Sequence, residues 1–387
     1  MSKTKRIRQA NKGEAQIISF ICGIVFAVFC VLYFYLLQSD FIGYEQHRLS
    51  AGQTVYHPIV GTVVLSVVLT LLGFLHHCFF RFPAHSVALS WFPSCYLMLL
   101  LTSVHFDDIS SDGGHTPIVA LCIIAILYLV VHILLHLYFK RQGEKSPMTD
   151  NLKTNLIILS VMFFFTGLLA NTTHLFHYEM KVARLSDSRC FDDALKVGSH
   201  YALTTRSLSA NRAYALSQKG ELGEHLFSYP AQGSQDLLAI RQDSMLSRHN
   251  VQMFQHIGYV PNTDGDFPVT RFLEMAHHKD TLSSRCLADY LLCAYLLDRN
   301  LPDFVSILPQ SYDMSVERLP RHFREALLLY AQAHQDLPFD STIWTPQDAE
   351  RFDTFLRLFQ DGGDDSINAV VSSSLFADTY WHYYFFE

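Results

Sequence analysis

Charged residues are scarce in this chain, and common signatures of catalysis are missing from it. Asp, Glu, Lys and Arg make up 17% of the 387 residues, whereas about a quarter is typical of a soluble domain. Residues 178–387 contain no GxSxG, HExxH, Gly-rich phosphate loop or CxxC pair. They therefore offer no motif for acyl transfer, zinc proteolysis, nucleotide binding or a structural zinc site. Catalytic residues can still assemble from distant positions, so an enzyme is less expected but not excluded, and we predict no cofactor.

The eight cysteines do not form a disulfide framework. Five lie inside apolar runs, at positions 22, 30, 78, 95 and 122, where a thiol behaves as a small hydrophobic group. Only Cys190, Cys286 and Cys293 lie in the second half of the chain, so at most one disulfide can form there. We expect buried free thiols, with a bond from Cys190 to Cys286 or Cys293 as the alternative.

Five apolar runs in the first half of the chain predict membrane spans. They cover about residues 17–37, 59–80, 87–104, 118–139 and 156–176. About 20 apolar residues in a helix cross a hydrocarbon core of roughly 30 Å. Pro93, in the third run, predicts a kink or the true start of that helix. We expect an all-α protein, with a five-helix transmembrane domain at residues 1–177 and a soluble helical domain at residues 178–387.

The basic residues next to these runs predict the orientation of the protein. Ten Lys or Arg residues fall on one side of the membrane under simple alternation, at positions 3, 5, 6, 8, 12, 81, 140, 141, 145 and 153. The loops on the opposite side, residues 38–58 and 105–117, contain only Arg48. Because Lys and Arg are retained in the cytoplasm, the N-terminus is predicted to be cytoplasmic and the C-terminal domain extracytoplasmic.

The charge balance of the two halves also limits the class of partner. Residues 1–177 hold 11 Lys/Arg and 8 Asp/Glu, a balance of +3, and residues 178–387 hold 18 and 28, a balance of −10, which together give the net −7. An acidic domain is a poor match for nucleic acid or for an anionic membrane surface. We predict the lipid bilayer and a protein of the cell envelope as partners, and no nucleic acid.

Four histidines in the first half are candidate ligands for a metal or a haem. His132 and His136 share one helix face, and simple alternation brings His76 and His77 near the same membrane surface. Imidazoles at one depth can ligate a metal. Histidines at the membrane interface, without a bound metal, are the alternative.

Three acids on the predicted outer side are candidate catalytic carboxylates. Asp107 and Asp108 lie in the sequence DDISSDGGH. The alternatives to a catalytic role there are a solvated acidic loop and a cation site. Asp40 follows the first run. Its position resembles that of the catalytic carboxylate in the first outer loop of many-span glycosyltransferases that use lipid-linked sugars. That resemblance implies a membrane-embedded transferase acting on a lipid-linked donor.

The second half shows helical periodicity throughout, and residues 211–227 (NRAYALSQKGELGEHLF) resemble a tetratricopeptide repeat. The resemblance implies a small packing residue at Ala213, an inward Leu216, a turn at Gly220 and Leu222 at the position where the repeat has an aromatic residue. Phe191 and Ala194 match the opening of a preceding second helix. Residues 293–305 are a weaker copy with Arg299 at the turn. Such hairpins stack into a solenoid, and a plain helical bundle is the alternative.

The last residues, Thr379 to Phe386, contain six aromatic side chains. Such a density is typical of a helix that caps a core. Placement at the membrane interface or in a partner-binding patch is the alternative, and the candidate binding residues are Tyr380, Trp381, Tyr383 and Tyr384.

The stretches LPRHFREALLLY (319–330) and ADTYWHYYFF (377–386), after the predicted spans, resemble an uncharacterised family of bacterial inner-membrane proteins. The resemblance implies an architecture and a location but no activity. We therefore predict an inner-membrane scaffold or assembly protein whose extracytoplasmic domain binds a protein partner. The alternative is the transferase described above.

Overall fold

The computed structural model describes most of the chain as helices joined by turns. The described residues are 3–50, 53–80, 82–103, 122–123, 125–127, 129–130, 133–134, 147–170, 173–238, 247–258, 268–279, 285–315, 319–334, 338–339, 343–360 and 365–386. All regular elements in these ranges are helical, and no strand occurs among them. The chain divides into two compact units, Met1–Met180 and Lys181–Glu387, which we call the N-terminal unit and the C-terminal unit.

The described part of the N-terminal unit contains the following helices: α1 (Lys3–Leu32), α2 (Ser39–Leu49), α3 (Pro58–Phe80), α4 (Phe92–Ser103), α5 (Met148–Leu169) and the first part of α6 (His174–Asp187). A π-helical turn, Tyr33–Leu37, prolongs α1, and a 3-10 turn, Val87–Trp91, precedes α4.

Three helices in the described residues are long and apolar enough to cross a membrane: Gly13–Leu37, α3 and α5. Within the described residues, the third predicted span corresponds to the apolar helix Val87–Thr102, formed by α4 and the turn before it. Pro93 lies in the first turn of α4, where a missing amide hydrogen is tolerated. The fourth predicted span, 118–139, lies largely outside the described residues.

The fifth predicted span is displaced toward the N-terminus, since α5 runs from Met148 to Leu169. Its first turns contain Asn151 and Asn155, whose polar side chains are both buried and hydrogen-bonded. Asn155 Oδ1 accepts the Ala88 amide at 2.6 Å, and its Nδ2 donates to Ala84 O at 2.7 Å. Asn151 Nδ2 donates to Glu14 Oε1 at 2.8 Å. These bonds satisfy polar groups that would otherwise oppose burial.

Trp91 lies at the centre of the N-terminal unit and is fully buried. Its ring contacts Phe26 and Phe74, each at a centroid distance of 4.9 Å. Gly73 of α3 lies directly against the Trp91 ring, which occupies the space a Cβ atom at this position would need. The close approach of α3 to the 3-10 turn therefore requires glycine at position 73.

The C-terminal unit is built from shorter helices. Those in the described residues are α7 (Phe191–Lys196), α8 (Arg206–Lys219), α9 (Leu222–His225), α10 (Ser247–Ile257), α11 (Val269–Lys279), α12 (Arg285–Leu297), α13 (Leu301–Ser311), α14 (Arg321–Ala333), α15 (Pro346–Gln360), α16 (Asp365–Leu375) and α17 (Tyr380–Phe386). Helix α12 is buried on all sides from Leu287 to Leu297. A helix that is buried and mainly apolar on every face belongs at the centre of a core.

The residues assigned to the repeat pattern are packed inward, but the hairpin they form differs from the predicted one. Ala194, Ala213, Leu216 and Leu222 are buried, and Phe191 packs edge-on against the Tyr214 ring. Gly220 ends α8 with φ 71°, as its predicted turn position requires.

The expected second helix of this hairpin is, however, only the four residues of α9, followed by a 3-10 turn at Leu226–Ser228. Gly223 in α9 approaches the Phe323 ring so closely that a Cβ atom would lie 2.8 Å from it. The contact with Phe323 of α14 therefore fixes the position of α9. Helices α12 and α13 do form a hairpin, with Arg299 at φ 57° in the turn.

Candidate functional site

Of the three predicted outer-face carboxylates, Asp40 alone lies within the described residues. Asp40 lies half-buried in the first turn of α2, where a carboxylate stabilises the positive end of the helix dipole. Asp107 and Asp108 lie outside the described residues. A catalytic role for these three acids therefore remains a hypothesis from the sequence.

The predicted histidine cluster is described only in part. His76 Nδ1 lies 2.9 Å from Ser90 O, and the His76 ring packs against Phe80 and Phe82. His77 is half-buried beside Phe82. His132 and His136 lie outside the described residues. No group of three or more His, Cys, Asp or Glu residues that could hold a metal ion occurs within the part of the chain that the structure describes.

The cysteines of the C-terminal unit are free. Cys190 is exposed, Cys286 is half-buried and Cys293 is buried. Ser217 Oγ lies 3.2 Å from Cys286 Sγ and 3.1 Å from His256 Nε2. Burial raises the pKa of the Cys286 thiol to about 11 and lowers the pKa of His256. Because a thiol, unlike a thiolate, is a poor nucleophile, this chain of contacts suits packing between α8, α10 and α12 better than catalysis.

The aromatic tail forms α17 and lies in the core of the C-terminal unit. Tyr380, Trp381 and Tyr383 are 0, 1 and 4% exposed, and Tyr384 is half-buried. The Tyr383 hydroxyl donates to Leu297 O at 2.7 Å, which fastens α17 to the end of α12. This packing agrees with a tail that caps a core, and it leaves little of the first three rings to contact a partner.

A buried carboxylate joins α14 to the tail. Glu325 is 1% exposed and accepts three hydrogen bonds: from Arg321 Nε at 2.8 Å, from His322 Nδ1 at 2.9 Å and from the Tyr380 amide at 2.8 Å. The Trp381 indole donates to Glu325 O at 2.8 Å. The contact with His322 requires the tautomer whose proton is on Nδ1 when Glu325 is a carboxylate, because a carboxylate only accepts hydrogen bonds. We call Arg321, His322 and Glu325, with the tail residues they bind, the Glu325 cluster.

Arg321 extends this cluster to two further parts of the chain. Its amide donates to Glu224 Oε2 at 2.7 Å, so a carboxylate from α9 satisfies one of the unpaired donors at the start of α14. Its guanidinium donates to Asp378 Oδ2 at 2.9 Å, and Arg351 of α15 donates to Asp378 Oδ1 at 2.8 Å. Burial opposes ionisation of Asp378, but the bonds from Arg321 and Arg351 outweigh it and lower its pKa.

A second buried acid lies on α12, at the centre of the unit. Asp289 is 5% exposed, and the Tyr312 hydroxyl donates to Asp289 Oδ1 at 2.5 Å. Burial raises the pKa of Asp289 to about 6, although Tyr312 and Arg285 act in the opposite direction. The Arg285 guanidinium lies over the Tyr312 ring, 4.7 Å from its centroid. Asp289 therefore loses its proton at a higher pH than an exposed aspartate does.

Comparisons with known proteins find one similarity. Residues 261–387, about a third of the chain, match the family of unknown function DUF6057. No curated protein and no solved structure matches the chain. The matched stretch contains α11 to α17 and therefore the whole Glu325 cluster. Glu224, which accepts the Arg321 amide, lies outside the matched stretch.

Sequence reasoning missed the roles of Glu325 and Asp289, although one signal was visible. Arg321 and Glu325 are four residues apart, a spacing that pairs opposite charges on one helix face, and they lie in a stretch singled out by its family resemblance. The partners Tyr380 and Asp378 are more than 50 positions away, and no local pattern indicates such contacts. The structure thus joins the two family-like stretches, 319–330 and 377–386, through one carboxylate.

Proposed function

We propose that this protein is an integral membrane scaffold or assembly protein whose C-terminal helical unit binds a protein partner. Three long apolar helices in the described residues support membrane insertion. The excess of Lys and Arg in the predicted cytoplasmic loops favours a cytoplasmic N-terminus and an extracytoplasmic C-terminal unit. The resemblance of residues 319–330 and 377–386 to bacterial inner-membrane proteins favours that membrane.

The main support for the proposal is that the charged side chains in the α14–α17 region pair with one another. Arg321, Glu325, Arg351 and Asp378 are engaged with one another and with the backbone, and they hold helices together. A catalytic acid or base must instead face a bound substrate. A helical unit whose shape is fixed by ion pairs and by the buried Glu325 suits recognition of another protein, because preformed binding surfaces lose less conformational freedom on association.

The partner is tested by affinity recovery from crosslinked membranes. We expect the full chain to recover a defined set of envelope proteins, and a chain ending at residue 180 to insert in the membrane but recover none of them. Recovery of the same set by both chains would contradict the proposal, because it would assign binding to the N-terminal unit.

The predicted sidedness has its own test, which uses Cys190. This thiol is exposed, whereas Cys286 and Cys293 are partly or fully buried. A maleimide that does not cross membranes is expected to label Cys190 in cells whose outer membrane alone is permeabilised, and Cys190→Ser removes that labelling. Labelling that requires disruption of the inner membrane would reverse the proposed orientation.

A further inference from the structure

A fully buried arginine of the C-terminal unit has no acidic partner among the described residues. Arg212 lies on α8 and is 1% exposed. Burial lowers the pKa of its guanidinium, and the Tyr229 side chain opposes that effect. Arginine nevertheless stays charged at neutral pH, and a buried charge without a counter-charge is strongly unfavourable. Arg212 therefore needs an explanation beyond packing.

The contacts of Arg212 use only part of its hydrogen-bonding capacity. Nη2 donates to Val197 O at 3.0 Å and to Gly198 O at 2.9 Å. The guanidinium lies over the Tyr229 ring, 5.0 Å from its centroid, and the Tyr229 hydroxyl donates to Leu195 O at 3.1 Å. Nε and Nη1 are buried and have no hydrogen-bond partner within the part of the chain that the structure describes. These two atoms carry three of the five N–H hydrogens of a guanidinium, so more than half of its donor capacity is unused there.

Arg212 lines a small pocket, which we call the Arg212 pocket. Its walls come from α8, from residues 226–237 and from Leu297, and they are mainly apolar, with Leu226 and Ala231 among them. Its empty volume is about 280 Å³ including the open mouth, and the enclosed part holds about one water-sized group. Asp236 is the other charged residue of the lining, and its Oδ2 accepts a loop amide at 3.0 Å. The guanidinium is therefore fixed in position at the wall of a pocket whose enclosed part has room for one small group.

We propose that the Arg212 pocket binds one small anionic group, a carboxylate or a phosphate, which places one oxygen against Nε and Nη1. Apolar walls exclude water from the contact and strengthen it, because a charge-assisted hydrogen bond is stronger at low dielectric. Held by Val197, Gly198 and Tyr229, the guanidinium is already oriented for binding. The site does not depend on the proposed protein partner, and either proposal can fail without the other.

The test uses the full chain purified in detergent, in chloride-free buffer at constant ionic strength, with a bulky sulfonate as the background anion. Sodium acetate and sodium phosphate are titrated separately, and the midpoint of thermal unfolding is recorded. We expect at least one of the two anions to raise the midpoint along a saturating curve. The anion that acts at lower concentration identifies the group as a carboxylate or a phosphate.

Three variants assign the effect to the pocket. Arg212→Met keeps the length of the side chain but removes the charge, and Ala231→Leu fills the pocket but keeps Arg212; each is expected to weaken the anion effect about tenfold or more. Arg206→Met is the matched control, because Arg206 lies on the same helix, is exposed and binds Gln235. A native protein without a saturable response to either anion, or an unchanged response in both pocket variants, would overturn the proposal.

Discussion

Replacement of Glu325 by alanine is expected to destabilise the C-terminal unit strongly. The substitution removes the acceptor of three hydrogen bonds, from Arg321, His322 and the Tyr380 amide. Arg321 retains Asp378, but the imidazole and the amide are left buried without an acceptor, and each such group costs about 1–3 kcal/mol. Breaking a buried ion pair from one side typically costs about 3–5 kcal/mol. We expect a loss of about 3–5 kcal/mol in the free energy of unfolding.

The assay is denaturant unfolding of the full chain in detergent, followed by tryptophan fluorescence. Trp381 is a suitable reporter, because its indole is buried and bonded to Glu325 O. Glu325→Gln keeps one oxygen acceptor and is expected to lose less stability than Glu325→Ala. The matched control is Glu350→Ala on α15, where an exposed side chain should contribute no more than about 0.5 kcal/mol.

The reasoning would be refuted if Glu325→Ala unfolded within about 1 kcal/mol of the native protein. A loss of equal size in Glu350→Ala would also refute it, because the effect would then not come from the buried acceptor. A double-mutant cycle with Arg321→Met measures how much of the loss belongs to the Arg321–Glu325 pair, since contacting residues give non-additive changes.

Three further predictions concern other parts of the molecule. Because the folded-state pKa of Asp289 is about 6, above the unfolded value of 3.8, the stability that comes from protonated Asp289 is fully present below pH 4 and is lost as the pH rises through about 6. Asp289→Asn should therefore stabilise the protein by about 1–3 kcal/mol at pH 7.5 and by much less at pH 4. A variant that is less stable than the native protein at pH 7.5 would contradict this prediction. Gly73→Leu should lower the thermal midpoint through overlap with Trp91 at a cost of about 1–3 kcal/mol, whereas Gly167→Leu should not, because a Cβ atom at position 167 would have open space around it to 4 Å. Asp40→Ala should complement a loss-of-function strain fully if the scaffold hypothesis holds, and failure to complement in a normally inserted protein would favour the transferase.

The helical class and the apolar membrane helices could be predicted from the sequence because both depend on local composition. Periodicity and hydropathy are properties of neighbouring residues, and they identified three long apolar helices and the turn at Gly220. The start of α5 was placed too late because the predicted span begins with the apolar run at residue 156. The burial of Asn155 depends on its bonds to Ala84 and Ala88, which lie on a distant segment. The second repeat helix was overestimated because contact of Gly223 with Phe323 determines the short α9.

The buried polar groups were the least predictable feature. Glu325 binds residues more than 50 positions away, and a long-range contact leaves no pattern in a single sequence. Arg212 looked like any helical arginine, because its burial comes from Tyr229 and the turn at Gly198. For both residues, a function or a packing role becomes visible only when the surrounding groups are known.

Site-specific photo-crosslinking in the full chain tests the central proposal most directly. A photoreactive amino acid is placed at exposed positions of the C-terminal unit, Leu203, Val370 and Leu375, and at Val64, an exposed position on the apolar helix α3. The proposal predicts defined protein adducts from one or more of the first three positions and lipid adducts from Val64. Protein adducts from Val64 alone would contradict it and would assign recognition to the membrane helices.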